Sequence, residues 1–468
     1  MPIVSIPIQG GPNQNVDRQE LSDGTAYKLE NTLLSDSGAN IGAPGFSSFA
    51  DLGSVHGVSA TIWNDLLFVV GTDRRFYKIT SAAVVTDITG TDGGLGGTTR
   101  PNFSNDGTYI AISGGGTPQR WDGTSTVANM PGSAPAADIV EYLDGYWLAI
   151  NSSGDIQWAG PSSAERDTWS AADFFQAEGL PDDPLTLAVN LRELFIFGEE
   201  STEIFQNYGD VSVPFRRVFF VERGIAAKRS VIKEGNTLWF LGNDRRVYYF
   251  EGRTPKVVSF SFDKEIQEMT TVSDCFGTRI QIDQFSLLIW TFPTEGKTFI
   301  VDAKSGKYLG EFSSFETGLK SRFRMNGYAY WPSLDKHYIT DYLDSNIWEL
   351  SRDYYAYGDN PRRCLRRTGP IDHGTGNKKR NVYYEFHIKR GVGNSSVSDP
   401  QFVVRFRDDD KGWSDEYLVS LGATGDESIV RRLHNTGTYR RREIEIYCTD
   451  AVEFNLTKIM ESVEPLGN

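Results

Sequence analysis

The chain has 468 residues, a formal net charge of −15 and 39% hydrophobic residues, which argues against a single ordinary core and against a DNA-binding domain with a basic patch. No apolar run approaches the ~20 residues that span a bilayer, and the first residues lack the charged and apolar regions of a signal peptide. The sequence therefore predicts a protein that is made in the cytoplasm, without membrane insertion. Three cysteines without a CxxC pair predict reduced, buried thiols and no disulfide framework.

Residues 1–55 are predicted to form an extended N-terminal arm. Residues 10–27 are polar and rich in turn formers, and residues 38–46 carry Gly and Pro at short intervals. A coil of this composition does not order by itself, because it buries too little apolar surface to offset the loss of chain entropy. We therefore expect the arm to lie over another domain or over a neighbouring subunit.

Seven stretches within residues 56–358 repeat one pattern, in which a polar turn and an apolar strand precede a second turn and an aromatic-rich strand. Their starts are 41, 38, 47, 44, 49 and 42 residues apart, close to the ~40–50 residues of a propeller blade. We predict a β-propeller over 56–358, with seven blades preferred and six as the alternative. The seven stretches are 65–79, 106–121, 144–158, 191–205, 235–250, 284–301 and 326–340.

Within the repeats, continuous apolar runs such as residues 66–70 indicate inner strands that are covered on both faces. One short helix is predicted within 262–271, where Ile266 and Met269 share a face. After Asp359 an Arg-, Pro- and Gly-rich link leads into alternating strands separated by turns. This pattern predicts a β-sandwich-like domain over 359–468 and an all-β fold for the whole chain.

No pattern in the sequence carries a catalytic, cofactor or metal site. The Gly-rich residues 91–100 lack the Lys and Ser/Thr of a phosphate loop, and the five histidines have no metal-binding spacing. Residues 408–413 (DDDKGW) are similar to a calcium loop or an Asp-box turn but lack the ligand spacing of a cation loop, which favours an acidic hairpin turn. We expect a protein without enzyme activity, cofactor or metal.

A carbohydrate-binding or carbohydrate-cleaving propeller is the alternative. Ten Trp and 21 Tyr are able to stack on sugars, and glycoside hydrolysis needs two carboxylates facing each other across a pocket. Asp182, Asp183, Glu199 and Glu200 are the candidates for such a pair. Most of the aromatic residues alternate along strands, which favours packing in the core.

Charge is distributed unevenly along the chain. Residues 1–360 hold 29 Lys and Arg against 46 Asp and Glu, a balance of −17, whereas residues 361–468 hold 18 against 16, a balance of +2. Basic residues of the second part either form a solvated, ion-paired face or bind an acidic partner, such as the propeller of a neighbouring subunit. The candidates are Arg362, Arg363, Arg366, Arg367, Lys378, Lys379, Arg380, Arg431, Arg432, Arg440, Arg441 and Arg442.

Four segments resemble the podovirus tail-hub proteins, also called packaged-DNA stabilisation proteins. They are residues 29–46, 241–266, 292–308 and 405–450. In the last segment the resemblance falls on Asp409, Asp410, Gly412, Trp413, Gly422, Gly425, Arg431, Arg432, Gly437 and Arg440. The sequence departs from the family pattern at a shortened turn before Trp413 and at Ala43, where the family usually has Arg.

The resemblance implies a virion protein of the phage tail, a hub or nozzle subunit in a homo-hexameric ring below the portal and its adaptor proteins. Such a ring continues the DNA conduit, retains the packaged genome until DNA ejection and carries tail fibre, spike or needle proteins. An acidic wall suits a conduit, because each phosphate neutralised by Lys or Arg adds affinity. We therefore expect packaged DNA to pass without sequence-specific binding.

Overall fold

The computed structural model is an all-β structure in which a propeller is joined to a β-sandwich. It describes residues 3–466 except residues 23, 162–167, 178, 211, 317, 390–391 and 428–429. Helix is scarce in this part of the chain: a 3-10 turn spans Arg18–Glu20, and an α-helix spans Asp263–Gln267 inside the predicted range. The backbone N–H groups of Phe262 and Asp263 donate to the carbonyl oxygen of Ser259, in a turn that leads into the helix.

The described chain forms seven blades of four antiparallel strands each, which confirms the preferred number; blades 1–5 are separate sheets, and blades 6 and 7 belong to larger sheets. The first strand of each blade lies innermost and lines the propeller axis, and the following strands lie progressively further out. Blade 1 comprises Gly57–Trp63, Leu66–Gly71, Phe76–Ile79 and Val85–Asp87; blade 2 comprises Asn102–Asn105, Ile110–Ser113, Gln119–Trp121 and Ala128–Asn129; blade 3 comprises Val140–Leu143, Tyr146–Ile150, Ile156–Ala159 and Trp169–Phe175.

The later blades have the same plan. Blade 4 comprises Pro184–Asn190, Glu193–Gly198, Thr202–Asn207 and Phe215–Val221; blade 5 comprises Ile232–Glu234, Thr237–Leu241, Val247–Glu251 and Thr254–Val257; blade 6 comprises Phe276–Ile282, Phe285–Phe292, Lys297–Asp302 and Tyr308–Glu311. The predicted hairpins are the second and third strands of blades 1–6. The seventh, 326–340, is instead the first and second strands of blade 7, one strand out of phase.

Blade 7 closes the ring with a strand from the other end of the propeller. Its first three strands are Met325–Trp331, Lys336–Asp341 and Asn346–Ser351, and its fourth is Gly45–Asp51. The fourth strand pairs antiparallel with the third, from Asn346 opposite Asp51 to Ser351 opposite Gly45. The propeller thus includes part of the predicted N-terminal arm, because an unpaired last blade would leave a strand edge exposed.

Seven separate apolar clusters lie between consecutive blades and complete the circle. One of them packs Leu67 and Val69 of blade 1 against Trp331 and Tyr338 of blade 7, so that the first and last blades are in contact. The second strands are buried along almost their whole length, as in Phe285–Phe292, because a neighbouring blade covers each face. Apolar runs in the sequence therefore correspond to strands buried on both faces, as predicted.

Residues 359–466 form a sandwich of two sheets, and the N-terminal residues contribute to both. One sheet is built on Asn455–Pro465 and Lys379–Ile388, and the other on Arg442–Cys448 and Gln401–Asp408. The first sheet also contains Ile3–Ile6, Thr32–Leu34, Asn40–Gly42, Val430–His434 and Thr438–Tyr439; the second also contains Ala26–Glu30, Cys364–Thr368 and Tyr417–Ser420. The predicted arm is therefore part of the fold of its own chain.

The second sandwich sheet is continuous with blade 6. Ala26–Glu30 lies between Tyr308–Glu311 of the blade and Cys364–Thr368 of the sandwich, which produces one nine-stranded sheet. A hairpin of Ser313–Glu316 and Leu319–Arg322 leaves this junction, and the short strands Ala356–Tyr357 and Asn360–Pro361 extend blade 7 beside it. Hydrogen bonds across a shared sheet fix the two domains relative to each other.

Candidate functional site

Four of the predicted partner-binding residues are buried and bind their own chain, so the prediction is corrected for them. Arg362, Arg366, Lys379 and Arg442 are at most 2% exposed. The guanidinium of Arg366 donates to Asn40 Oδ1 at 3.0 Å and to carbonyl oxygens of the N-terminal segment. Basic residues in a polar stretch look like surface residues in sequence, because the carbonyl oxygens that accept from them come from distant segments.

Arg362, Arg442 and Lys379 are held in the same way. Arg362 donates to the carbonyl oxygens of Ala43, Tyr354 and Val452. Arg442 makes two bonds to the carboxylate of Asp408, at 2.6 and 2.7 Å, and Lys379 Nζ donates to three backbone carbonyls at 2.6 to 2.8 Å. These cations stabilise the sandwich and do not face a partner.

Arg367 belongs to a layer of ion pairs on the outer face of the second sandwich sheet. It contacts the ring of Trp413 together with Arg405 and Arg407, with guanidinium-to-centroid distances of 5.0, 5.4 and 4.9 Å. Beneath them, Glu445 pairs with Arg367 and Arg405 and is fully buried. Sequence reasoning missed Arg405 and Arg407, although their alternation with Val404 and Phe406 indicated an outward-facing position.

The pKa values of two buried carboxyls under this layer are shifted in opposite directions. Burial raises the pKa of Glu443 to about 7, against the opposing effect of Arg18. Burial acts in the same direction on Glu445, but hydrogen bonds and charges from Arg405 and Arg367 outweigh it and lower the pKa of Glu445. The two carboxyls therefore offset only part of the positive charge that the sequence places on this face.

The remaining candidates are more exposed, and most of them have a carboxylate partner. Arg431 pairs with Asp426, Arg432 with Glu385, Arg441 with Asp410 and Arg380 with Glu464; Arg363 lies 4.9 Å from the Tyr447 ring centroid. Within the part of the chain that the structure describes, Lys378 and Arg440 have no carboxylate within 4.0 Å. Three exposed basic residues lie on or beside two paired strands in which Arg380 is opposite Thr438. These residues, called the exposed basic trio below, are Lys378, Arg380 and Arg440.

Residues 408–413 form a hairpin turn, as the sequence predicted. Asp409 and Asp410 adopt φ of 51° and 60°, as a two-residue type I′ turn requires, and Lys411 N donates to Asp408 O. Asp409 accepts from the backbone N–H groups of Arg440 and Arg441, and Asp410 pairs with Arg18. Their carboxylates are engaged by the fold itself, and among the residues described no group of three or more His, Cys, Asp or Glu is placed to hold a metal ion.

Of the carboxylates considered for glycoside hydrolysis, Asp182 and Asp183 are neighbours in the chain and line a cavity of about 600 Å³, whose described lining contains neither Glu199 nor Glu200. Asp182 accepts from the backbone N–H groups of Glu200 and Ser201 at 2.8 and 2.9 Å, so it caps a turn beside Glu199. Another polar groove, of about 600 Å³, runs between blades 6 and 7. Three of its four carboxylates are engaged, since Asp283 pairs with Arg352 at 2.9 Å, Glu349 pairs with Lys336 at 2.8 Å and Asp335 accepts from the Tyr330 hydroxyl at 2.8 Å.

The propeller axis contains a cavity of about 610 Å³ lined by the inner strands of all seven blades. Its ionisable residues are mainly basic: Arg100, Lys228, Arg229, Lys233 and Arg279, with Glu141 as a carboxyl. The volume is that of a small-ligand pocket, and side chains from opposite blades meet across it. A DNA duplex therefore does not pass along the axis of one propeller.

A family model described as "Bacteriophage P22 Gp10, beta-propeller" matches residues 6–355. The chain belongs to this family. Membership confirms the resemblance to the phage packaged-DNA stabilisation proteins and makes this family member a phage structural protein. No helix in the described ranges is both long and apolar enough to cross a membrane.

Comparison with curated proteins found no match. Solved structures similar to this family member include the WD40 β-propeller domain of Doa1 (9% identity, TM-score 0.42, covering 66% of this chain and 97% of that one). The N-terminal domain of Nup159 (11%, 0.42, 66% and 95%) and streptogramin B lyase (8%, 0.42, 66% and 97%) are similar to the same extent. At these TM-scores the likenesses carry no argument about function.

Proposed function

We propose that this family member is a structural subunit of a phage tail hub or nozzle, without catalytic activity. About six copies form a ring that continues the DNA conduit below the portal and adaptor proteins, retains the packaged DNA and carries tail fibre, spike or needle proteins. The observation that carries the proposal is the nine-stranded sheet shared by blade 6 and the sandwich, in a member of a packaged-DNA stabilisation family. A channel of fixed width needs subunits whose domains do not move relative to each other.

The size of the axial cavity supports a conduit between subunits. Because about 610 Å³ is the volume of a small-ligand pocket, DNA has to run through the centre of the ring and not through a propeller. The balance of −17 over residues 1–360 supports an acidic lumen wall, to which a polyanion does not adhere. DNA passage would then need no sequence-specific contact.

The exposed basic trio is the part of the predicted partner-binding set that fits a contact between subunits. A closed ring needs two different, complementary surfaces on each subunit. Lys378, Arg380 and Arg440 on the sandwich offer a positive surface to the acidic propeller of the next copy. Arg380 also pairs with Glu464, but its side chain is 55% exposed. The other basic residues of the set are buried, paired with carboxylates of the chain or, for Arg363, in contact with aromatic rings.

Native mass spectrometry combined with negative-stain electron microscopy tests the proposal. Wild-type protein is expected to form rings of about six copies, and the triple variant K378E/R380E/R440E is expected to be mainly monomeric. The matched control reverses three exposed arginines on the outside of the blades, R75E/R192E/R216E, whose side chains are 58%, 81% and 62% exposed. Purified tails that lack a ring of this protein, or a ring with a basic lumen, would contradict the proposal.

A further inference from the structure

Three arginines gather at one end of the propeller axis without a carboxylate partner. Arg100 precedes blade 2, Arg229 precedes blade 5, and Arg322 ends the hairpin before blade 7. Arg100 donates to Asn326, Arg229 to the carbonyl oxygens of Arg100 and Asp138, and Arg322 to Met325 O at 3.2 Å. In the described part of the chain no carboxylate oxygen lies within 4.0 Å of the three guanidiniums.

The guanidiniums of Arg229 and Arg322 both repel that of Arg100. Burial, together with Arg322 and Arg229, lowers the pKa of Arg100 to about 9. Burial also lowers the pKa of Arg229 to about 10, although Asp138 and Glu141 act in the opposite direction. All three remain charged at neutral pH, so the fold concentrates positive charge that its own carboxylates do not neutralise.

Two of the three arginines, Arg100 and Arg229, lie where two cavities meet. Arg100, Lys228 and Arg229 line both the axial cavity of about 610 Å³ and a neighbouring cavity of about 620 Å³. Arg229 Nη1 is buried there without a hydrogen-bond acceptor in the chain, and the hydroxyl of Thr186, in the axial cavity, is also buried without a partner. Each of these groups leaves a hydrogen-bonding position that a ligand, a water or an ion is able to fill.

The other charges of the axial cavity do not cancel this excess. Lys228 pairs with Asp138 at 2.6 Å and Arg279 pairs with Glu234, whereas Lys233 donates to a backbone carbonyl. Burial raises the pKa of Glu141 to about 7, so this carboxyl is only about half ionised at neutral pH. The axial cavity is therefore a locally positive site in a chain of net charge −15, and its field attracts an anion.

We propose that the axial cavity binds a small phosphate-bearing anion through Arg100 and Arg229. A guanidinium presents two parallel N–H donors that match two phosphate oxygens. Two unneutralised guanidiniums balance a dianion, which phosphate is at neutral pH and a single carboxylate is not. The cavity volume fits a nucleotide or a smaller phosphate, and the site does not depend on ring formation.

Isothermal titration calorimetry with the full chain tests this site, with inorganic phosphate, pyrophosphate, AMP and acetate as probes at matched ionic strength. Phosphate is expected to bind and acetate to bind at least about tenfold more weakly. Arg229→Gln is expected to weaken phosphate binding about 10- to 100-fold, whereas the exposed control Arg192→Gln leaves it unchanged. AMP binding more tightly than phosphate assigns a nucleotide, and equal binding assigns free phosphate; both support the site.

A second variant keeps the test decisive if Arg229→Gln does not fold. Glu141→Gln keeps the side-chain shape and removes the opposing charge, so phosphate is expected to bind about threefold more tightly at pH 8. No phosphate binding by the wild-type chain, acetate binding as tightly as phosphate, or Glu141→Gln binding phosphate no more tightly than wild type would overturn the proposal.

Discussion

The hydroxyl of Tyr357 donates a hydrogen bond of 2.9 Å to the side-chain oxygen of Asn31, 326 residues away in the chain. The same amide accepts from Ser313 N and donates to Ser313 O and Arg363 O, each at 2.9 Å. Asn31 is fully buried, with φ of 46°, a conformation that Asn tolerates better than most residues. One side chain thus joins the N-terminal segment, the exit from blade 6 and the entry to the sandwich.

Asn31→Ala is therefore expected to destabilise the whole chain. Removing the amide leaves several buried backbone groups and the Tyr357 hydroxyl without partners, at a cost of about 2–4 kcal/mol. Urea unfolding followed by circular dichroism measures the change. Asn105→Ala, at an exposed strand end, is the matched control and is expected to stay within about 0.5 kcal/mol of wild type. A loss at Asn31 no larger than that at Asn105 would contradict the junction role.

Phe46→Ala is expected to weaken closure of the propeller. Phe46 is 2% exposed on the strand that completes blade 7 and stacks on Tyr357 at 4.8 Å between ring centroids. Loss of a buried aromatic side chain costs about 3–5 kcal/mol. Hydrogen exchange is expected to speed up in blade 7 and in blade 6, between which Phe46 packs. Phe260→Ala, at 67% exposure, is the control; equal effects of the two changes would count against closure by this strand.

Asp408→Asn tests whether Arg442 has a structural role. The change removes the negative charge next to the guanidinium of Arg442, which is 1% exposed. Removing one partner of a buried ion pair costs about 3–5 kcal/mol of folding stability. The control Asp144→Asn breaks the ion pair with Arg192, whose side chain is 81% exposed. This change is expected to cost at most about 1 kcal/mol of folding stability. Thermal unfolding of both variants gives the comparison. Similar midpoints would show that Arg442 is free to face a partner.

Glu443 is expected to make stability depend on pH. Burial raises its pKa to about 7 in the folded chain, above the ~4.3 of an unfolded chain. The folded state binds the proton of Glu443 more tightly than the unfolded chain does. The stability that the protonated carboxyl contributes is therefore fully present below about pH 4.3 and is lost as the pH rises through about 7. Glu443→Gln is therefore expected to gain stability relative to wild type between pH 5 and pH 8, measured as urea midpoints. Glu427→Gln, at an exposed position, is the control; the same pH slope in Glu443→Gln and wild type would refute the assignment.

The three cysteines are expected to be inert in the folded chain. Burial raises the pKa of Cys448 to about 12 and also raises those of Cys275 and Cys364. Because the thiolate is the reacting form, a disulfide reagent such as DTNB should label no thiol within minutes at pH 8. Three thiols per chain should react in urea. Rapid labelling of the native protein would show that the interior opens at these positions.

The sequence by itself determined the repeating part of the fold. Blades 1–6 consist of strands that pair with their chain neighbours, as Leu66–Gly71 pairs with Phe76–Ile79, so alternation and turn residues within about 45 residues are enough to reveal them. The same local signals indicated the turn at residues 408–413, where the pairing is again between neighbouring segments. Family resemblance in four segments added the phage structural role.

Only the tertiary structure decided how the ends of the chain are used. Gly45–Asp51 pairs with a strand almost 300 residues later, and Cys364 lies opposite Cys448, although neither pairing leaves a local pattern. Arg366 looked like a surface residue until the carbonyl oxygens of the N-terminal segment were found around it. Burial and partner choice depend on which distant segments pack together, and periodicity reports only on a residue's near neighbours in the chain.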